Sequence, residues 1–312
     1  MPAAAPNARL YFLVTRSPLH VGCGDSLGDI DKPTLRNVVT RHPMVPGSML
    51  KGCLRGPAPA AWALATQEPG LLENSLFGRE GADGTGMLCP QDASLLLLPV
   101  ACLAGGWAWV TCPAVLHRMA RAAGVCSLPA QQAGIPDVPL LNSPETAVVR
   151  SSGSPLVCRF TGHADSIVLN EEVLALQTHD AAQAWAEWIA ALALPGEQHS
   201  AWRELMHHNF AIVSNAVFDH LCAVALDVRA RNRIADDGVA QDHHLWREEC
   251  VPEEAVFFGV LAAQRVESNP AGLTEAQALA LPQPLDLQLG GKATVGYGWT
   301  SFVPVAASVV AP

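Results

Sequence analysis

The chain has 312 residues, half of them hydrophobic and only 15% charged, which supports a sizeable core and excludes a globally disordered polypeptide. Its 29 acidic residues outnumber 19 Lys and Arg, giving a net charge of −10, which argues against a nonspecific nucleic-acid binder. Nine cysteines, an odd number with no CxxC pair, argue against a disulfide scaffold or structural zinc site and point to reduced thiols in the cytoplasm.

The N-terminus has no basic patch leading into an apolar core, so no secretory signal is expected. Leu10 to Thr15 reads as a buried strand. A loop rich in Gly and Asp follows, from Pro18 to Pro46. Ser48 then reads as the N-cap of a helix carrying Met49, Leu50, Cys53 and Leu54. Pro57 and Pro59 stop or kink that helix, and a second helix-compatible stretch runs from Ala60 to Thr66.

The segment Ala93 to Leu116 contains no Asp, Glu, Lys or Arg, yet Pro99, Gly105, Gly106 and Pro113 interrupt it. Two strands joined by a Gly-Gly turn, Leu95 to Val100 and Trp107 to Thr111, explain it better than a membrane span. Pro113 suits the first turn of a helix reaching about Ala123. The stretch from Leu128 to Pro155 reads as a surface insertion, and helical patterning resumes from Asn170 to Leu194.

Phe210 to Val213 is a short predicted strand, and Ser214 caps a helix running to about Val228. An irregular polar stretch from Arg229 to His244 follows. A strand near Val256 to Ala262, a helix from Thr274 to Leu281 and a strand near Leu285 to Leu289 come next. The glycine-rich tail Gly290 to Gly298 leads into a last strand. Alternating strands and helices with long insertions fit an α+β fold with a ferredoxin-like sheet.

Charge is uneven along this acidic chain. From Lys32 to Gln67 there is no carboxylate but five bases, Lys32, Arg36, Arg41, Lys51 and Arg55. Arg229, Arg231 and Arg233 form a second basic cluster. Such stretches can hold a phosphate backbone locally. Lys51 and Arg55 share one face of the helix that starts at Gly47 and Ser48, a reasonable anion site and equally an ordinary solvated helix. The loop bearing Asp25, Asp29 and Asp31 could bind a cation or act as an acid–base site, although turns use aspartates too. The pairs His207-His208 and His243-His244 are poor chelates, because adjacent residues in a regular element point apart. No P-loop, dinucleotide fingerprint or GxSxG motif occurs.

Several blocks resemble one known family. They are Ser17-Pro18-Leu19-His20-Val21-Gly22-Cys23-Gly24, Leu27-Gly28-Asp29-Ile30-Asp31-Lys32-Pro33, and the run from Arg41 to Arg55 containing Pro46-Gly47-Ser48-Met49-Leu50-Lys51-Gly52. Further along come Leu76-Phe77-Gly78, the run Trp107 to Pro113, the run Val228 to Ile234, Leu245-Trp246-Arg247-Glu248-Glu249 and the run Gly290 to Gly296. In this order they resemble the backbone subunits of type III-B CRISPR effector complexes, the Cmr branch of the RAMP superfamily.

The resemblance implies one domain over residues 1–312, with insertions at approximately 20–46 and 128–155. It implies an RNA-recognition-type sheet, the palm, elaborated by a thumb-like hairpin. Copies would stack along a guide (CRISPR) RNA beside other Cmr subunits, away from any membrane, and cleave paired target RNA with a divalent metal ion, Mg2+ or Mn2+. Asp31 then becomes the catalytic aspartate and metal ligand, with His20 and Glu249 as secondary catalytic candidates. The RNA-binding candidates are Arg36, Arg41, Gly47, Ser48, Lys51, Arg55, Arg229, Arg231, Arg233, Gly290, Gly291 and Lys292. One departure is Ala101-Cys102 where the family usually places Arg-Ser, removing an expected basic contact. The rivals are a non-catalytic structural backbone subunit of a type III complex and an unrelated metal-dependent hydrolase using the aspartate loop.

Overall fold

The computed structural model describes residues 8–24, 28–62, 68–79, 84–126, 128, 134–234 and 240–306. Strand β1 (Ala8–Thr15) is buried along its whole length. The short β2 (Met44–Val45) leads into helices α1 (Gly47–Arg55), α2 (Ala58–Trp62) and α3 (Pro69–Phe77). Strands β3 (Leu88–Pro90), β4 (Ala93–Cys102) and β5 (Gly106–Thr111) precede α4 (Pro113–Gly124). Next come β6 (Thr146–Val149), β7 (Val157–Cys158), β8 (Ser166–Leu169) and β9 (Glu172–Thr178), then α5 (Asp180–Ala193) and α6 (Ser200–His208). Strand β10 (Phe210–Val213) and helix α7 (Asn215–Val224) lead to a hairpin of β11 (Asp227–Ile234) and β12 (Ala240–Cys250). Strand β13 (Val256–Ala263), α8 (Glu275–Ala280), β14 (Leu285–Gln288) and β15 (Trp299–Pro304) complete the order.

β1 lies between β15 and β13, antiparallel to both. The sheet continues from β13 through β4, β5, β10, β6, β9 and β8 to β7. A single bridge between Cys102 of β4 and Leu169 of β8 turns the strands between them into a barrel-like ring. The fold is mixed α+β, as the alternation of elements predicts. In β4, Leu95 to Leu98 are all buried, the continuous apolar run of a strand covered on both faces. Cys102 pairs with Gly106, so the β4–β5 loop is Leu103-Ala104-Gly105, and Gly105, at a φ of 73°, supplies the left-handed residue that a three-residue hairpin loop uses. Tyr11, Phe12, Trp109, Trp185, Phe218, Phe257 and Phe302 lie fully buried in one contiguous core. Among the described residues no helix is long and apolar enough to cross a membrane.

Four sequence expectations need correction. The helix expected from Asn170 is a strand up to Thr178, because β9 pairs with both β6 and β8; the helix starts only at Asp180, where His179 accepts the Ala181 N–H. The stretch read as irregular from Arg229 is the β11–β12 hairpin. The segment 128–155 contains β6, whose four residues are buried within the sheet, so it is not confined to the surface. Ser48 lies inside α1 and Pro46 is its N-cap. The helix-compatible stretch Ala60 to Thr66 begins within α2, and residues 63–67 lie outside the described residues.

Candidate nucleic-acid interface

The hairpin is separate from the main sheet. Because side chains alternate along a strand, Trp246 and Glu248 share one face of β12, while Arg247 and Glu249 share the other. Across the ladder Arg229 pairs with Glu248, and Arg231 pairs with Trp246. Two loop segments dock on this base and complete the site.

The first is the aspartate loop. Lys32 bridges Glu248 in parallel register, with its N–H donating to the Arg247 carbonyl at 3.0 Å and its carbonyl accepting the Glu249 N–H at 3.0 Å. Asp31 is exposed, and its Oδ2 accepts the Arg247 N–H at 2.7 Å. The second is the glycine-rich tail. The Gly291 N–H donates to the His20 carbonyl at 3.0 Å. Gly290 has a φ of 72°, and a Cβ there would stand 2.3 Å from that same carbonyl oxygen, so this turn requires glycine.

Cations line the Trp246–Glu248 face. Lys292 Nζ lies 2.6 Å from Glu248 Oε1, and Trp246 Nε1 donates to the same oxygen at 2.5 Å. Arg231 Nε stands 3.6 Å from Oε2. Burial alone would raise the Glu248 carboxyl, but hydrogen bonds from Lys292 and Trp246, with the charges of Lys292 and Arg231, hold it below its ordinary value. Lys32 and Lys292 lie over the Trp246 ring at 5.6 and 5.9 Å, and the Arg229 and Arg231 guanidinium groups lie over Tyr297 at 5.2 and 5.3 Å. Arg233 follows on β11 and is exposed.

The opposite face is braced. Glu249 is 3% exposed. Its Oε2 accepts the Thr34 N–H at 3.0 Å, and its Oε1 accepts from Arg36 Nη2 at 2.6 Å. Arg36 also donates to the carbonyls of Arg41 and Cys222. His20 is buried, with Nδ1 2.8 Å from the Glu249 carbonyl oxygen, which assigns a proton to Nδ1. Glu249, Arg36 and His20 therefore support the Asp31 loop from beneath.

The α1 candidates stand apart from this platform. The Gly47 N–H donates to Asp92 Oδ1 at 2.8 Å, so a carboxylate already occupies that part of the helix start. Ser48 is exposed and Lys51 half-buried. Arg55 donates to the carbonyls of Phe77 and Gly78 at the end of α3 and pairs with Glu73 at 3.5 Å. Arg41 sits on an exposed turn with a φ of 60°. Among the described residues, no hydrogen bond or ion pair joins α1 to the platform.

Asp25 and the side chains of His243 and His244 lie outside the described residues. Among those described, no three His, Cys, Asp or Glu side chains gather as a metal-binding group. Sequence reasoning missed the roles of Trp246, Glu248 and Tyr297. The signal available was the two-residue period of Trp246-Arg247-Glu248-Glu249, legible only once that segment is known to be a strand.

A family model described as the RAMP superfamily matches residues 12–301. The chain is 28% identical over 298 residues to the CRISPR system Cmr endoribonuclease Cmr4 of Pyrococcus furiosus, covering 94% of each chain. Its fold is similar to the crystal structure of oligomeric Cmr4 from that organism, with a TM-score of 0.65 and 23% identity over 96% of this chain and 97% of that one. It is also similar to a chain in the cryo-EM structure of the type III-B Cmr-beta complex bound to cognate target RNA. There the TM-score is 0.68 and the identity 19%, over 97% of this chain and 99% of the other.

Proposed function

The chain belongs to the RAMP superfamily, and from that premise we propose that it is a guide-RNA-binding backbone subunit of a type III-B CRISPR effector complex that cleaves paired target RNA. The observation that carries this reading is the exposed Asp31 carboxylate tied through the Arg247 N–H to the base of a hairpin lined by Lys32, Arg231 and Lys292. A row of cations suits a phosphate backbone, and one projecting carboxylate among them suits chemistry on it. In this reading the β11–β12 hairpin is the thumb and the sheet around β1 the ferredoxin-like palm, within a single domain working in the cytoplasm. Further copies of the chain and other Cmr subunits are its protein partners.

Cleavage would use the 2′-hydroxyl of the target as nucleophile, so the protein must chiefly impose in-line geometry. The cationic face holds phosphates, and the Arg247 N–H holds one carboxylate oxygen of Asp31 in place. His20 and Glu249 act through the loop they brace, because both are buried beneath it. Asp31 is exposed at the base of the hairpin, and no three ligating side chains gather there among the described residues, so the residues fit a hydrated Mg2+ or Mn2+ held jointly with RNA phosphates and not by the protein alone. Such an ion would supply positive charge to the departing oxygen or a more acidic water. The reading is tested by assembling the complex on guide RNA and adding labelled target: regularly spaced products support it. RNA held but left whole would favour the non-catalytic backbone, and no RNA bound would remove both.

A further inference from the structure

Away from the hairpin, helix α4 and strands β4 and β13 enclose a pocket of about 510 Å³, within the size range of small-ligand clefts. Phe258 and Val260 of β13 give it an apolar lining, and Arg118, Arg121, Asp92 and Ser94 also line it. The two arginines are three residues apart, hence neighbours on one side of α4, where like charges repel. Val115, Leu116, Met119 and Ala123 bury the rest of that helix. Arg118 is half-buried and Arg121 exposed. Among the described residues neither guanidinium has a hydrogen bond or ion pair. Asp92 is the one carboxylate lining the pocket, and its Oδ1 accepts the Gly47 N–H at 2.8 Å. The charged groups of the pocket therefore favour an anion.

The pocket is continuous with the chain that supports the hairpin. Arg36, which holds Glu249 beneath the Asp31 loop, begins a segment that leads through Arg41 and His42 to β2. There Met44 pairs with Ser94 of the pocket wall. His42 Nε2 lies 2.7 Å from Asp219 of α7, and Asn215 of α7 accepts the Ala114 N–H of α4 at 3.0 Å. The two arginines thus stand on a helix fixed to that same segment. A carboxylate on a short aliphatic stem would engage the arginines and leave the apolar lining uncovered. A nucleotide matches both parts, with a phosphate for paired N–H donors and a base for the apolar side.

We propose that the Arg118–Arg121 pocket binds a nucleotide of the guide RNA, its phosphate between the two guanidinium groups and its base towards Phe258 and Val260. The proposal rests on the RNA-binding reading and adds to it a contact that lies apart from the hairpin platform.

The experiment uses the full-length chain and a labelled single-stranded oligoribonucleotide, titrated at several salt concentrations. Wild type is compared with Arg118→Gln/Arg121→Gln and with Lys292→Gln on the platform. The double variant should bind about tenfold or more weakly, and its slope of log affinity against log salt should fall by about 1.4, as for two contacts to single-strand phosphates. In the wild type, bound RNA should also protect Arg118 and Arg121 from phenylglyoxal, with the modified sites located by mass spectrometry; this reading depends on no variant. A polyglutamate peptide is the second probe. Protection of both arginines by the peptide and not by RNA would assign the pocket to an acidic polypeptide and overturn the proposal. Binding weakened by Lys292→Gln but unchanged in the double variant, with both arginines still modified, would leave the RNA-binding reading standing and overturn the pocket. A wild-type chain that binds no oligoribonucleotide would overturn both.

Discussion

Oδ2 of Asp31 accepts the backbone N–H of Arg247 at 2.7 Å, so the acidic loop is tied to the hairpin by a side chain as well as by the main-chain bonds of Lys32. A hydrogen bond to a charged group contributes about 1.5–3 kcal/mol. The bond fixes where the loop sits and leaves Asp31 at the surface.

The Arg36–Glu249 pair, 2.6 Å apart, has side chains 14% and 3% exposed. Removing one member of such a pair strands a buried charge. Glu249→Ala should therefore destabilise the fold by about 3–5 kcal/mol, read from the denaturant midpoint. Arg36→Ala added to it should cost much less than the sum. Additive losses would show that the two side chains do not act as a unit.

Lys51 and Arg55 should separate. Lys51 has no ion pair among the described residues, whereas Arg55 holds the end of α3. Lys51→Glu should weaken guide-RNA binding and lower its salt dependence by about one phosphate contact. Arg55→Ala should act mainly on stability, by about 1–3 kcal/mol. Binding isotherms at several salt concentrations, beside melting curves, test both.

The two tail glycines should also differ. At Gly290 a Cβ would meet the His20 carbonyl oxygen at 2.3 Å, while at Gly291 its nearest contact is His20 Cδ2 at 3.8 Å. Gly290→Ala should lower the melting temperature clearly, and Gly291→Ala should scarcely change it. Equal losses would contradict the close packing of the tail on His20.

Glu254 gives a pH signature. Its carboxyl is raised from 4.5 to about 7, so the folded chain binds that proton more tightly than the unfolded one. Stability from this group is full below pH 4.5 and is lost as pH rises towards 7. At about 1.4 kcal/mol per pH unit the full loss is about 3.5 kcal/mol at most, and smaller to the extent that solvent screens this partly exposed carboxyl. Glu254→Gln should leave stability unchanged near pH 4 and raise it near pH 8, relative to wild type. Arg16, Glu253 and His199 line the same region and should be kept unchanged in the comparison. A pH-independent difference would remove burial of Glu254 as the cause.

Strands with apolar runs, such as β1, β4, β10 and β13, were legible because burial leaves a hydrophobic signature. The β11–β12 hairpin was not, since Arg229, Ala230, Arg231, Asn232 and Arg233 carry no apolar alternation, and the strands are held by pairing with one another. The basic residues of the site could be picked from their clustering. Their division into free and braced cations could not, because Arg36 and Glu249 lie 213 residues apart and meet only through the fold. His20 and Glu249 were singled out with Asp31 by resemblance, and their burial gives them a supporting place under it. The role of Glu248 could not be read ahead of the structure, for it depends on which strand face it shares with Trp246.

The most direct measurement compares target-RNA cleavage by complexes assembled with wild-type chain and with Asp31→Ala, at matched guide-RNA occupancy. With Asp31→Ala, guide and target binding should stay within about twofold while regularly spaced cleavage is lost, and Asp31→Asn should behave alike because it keeps shape without charge. Asp29→Ala should retain substantial activity. Target cut at the wild-type rate and spacing by the Asp31→Ala complex would contradict the account.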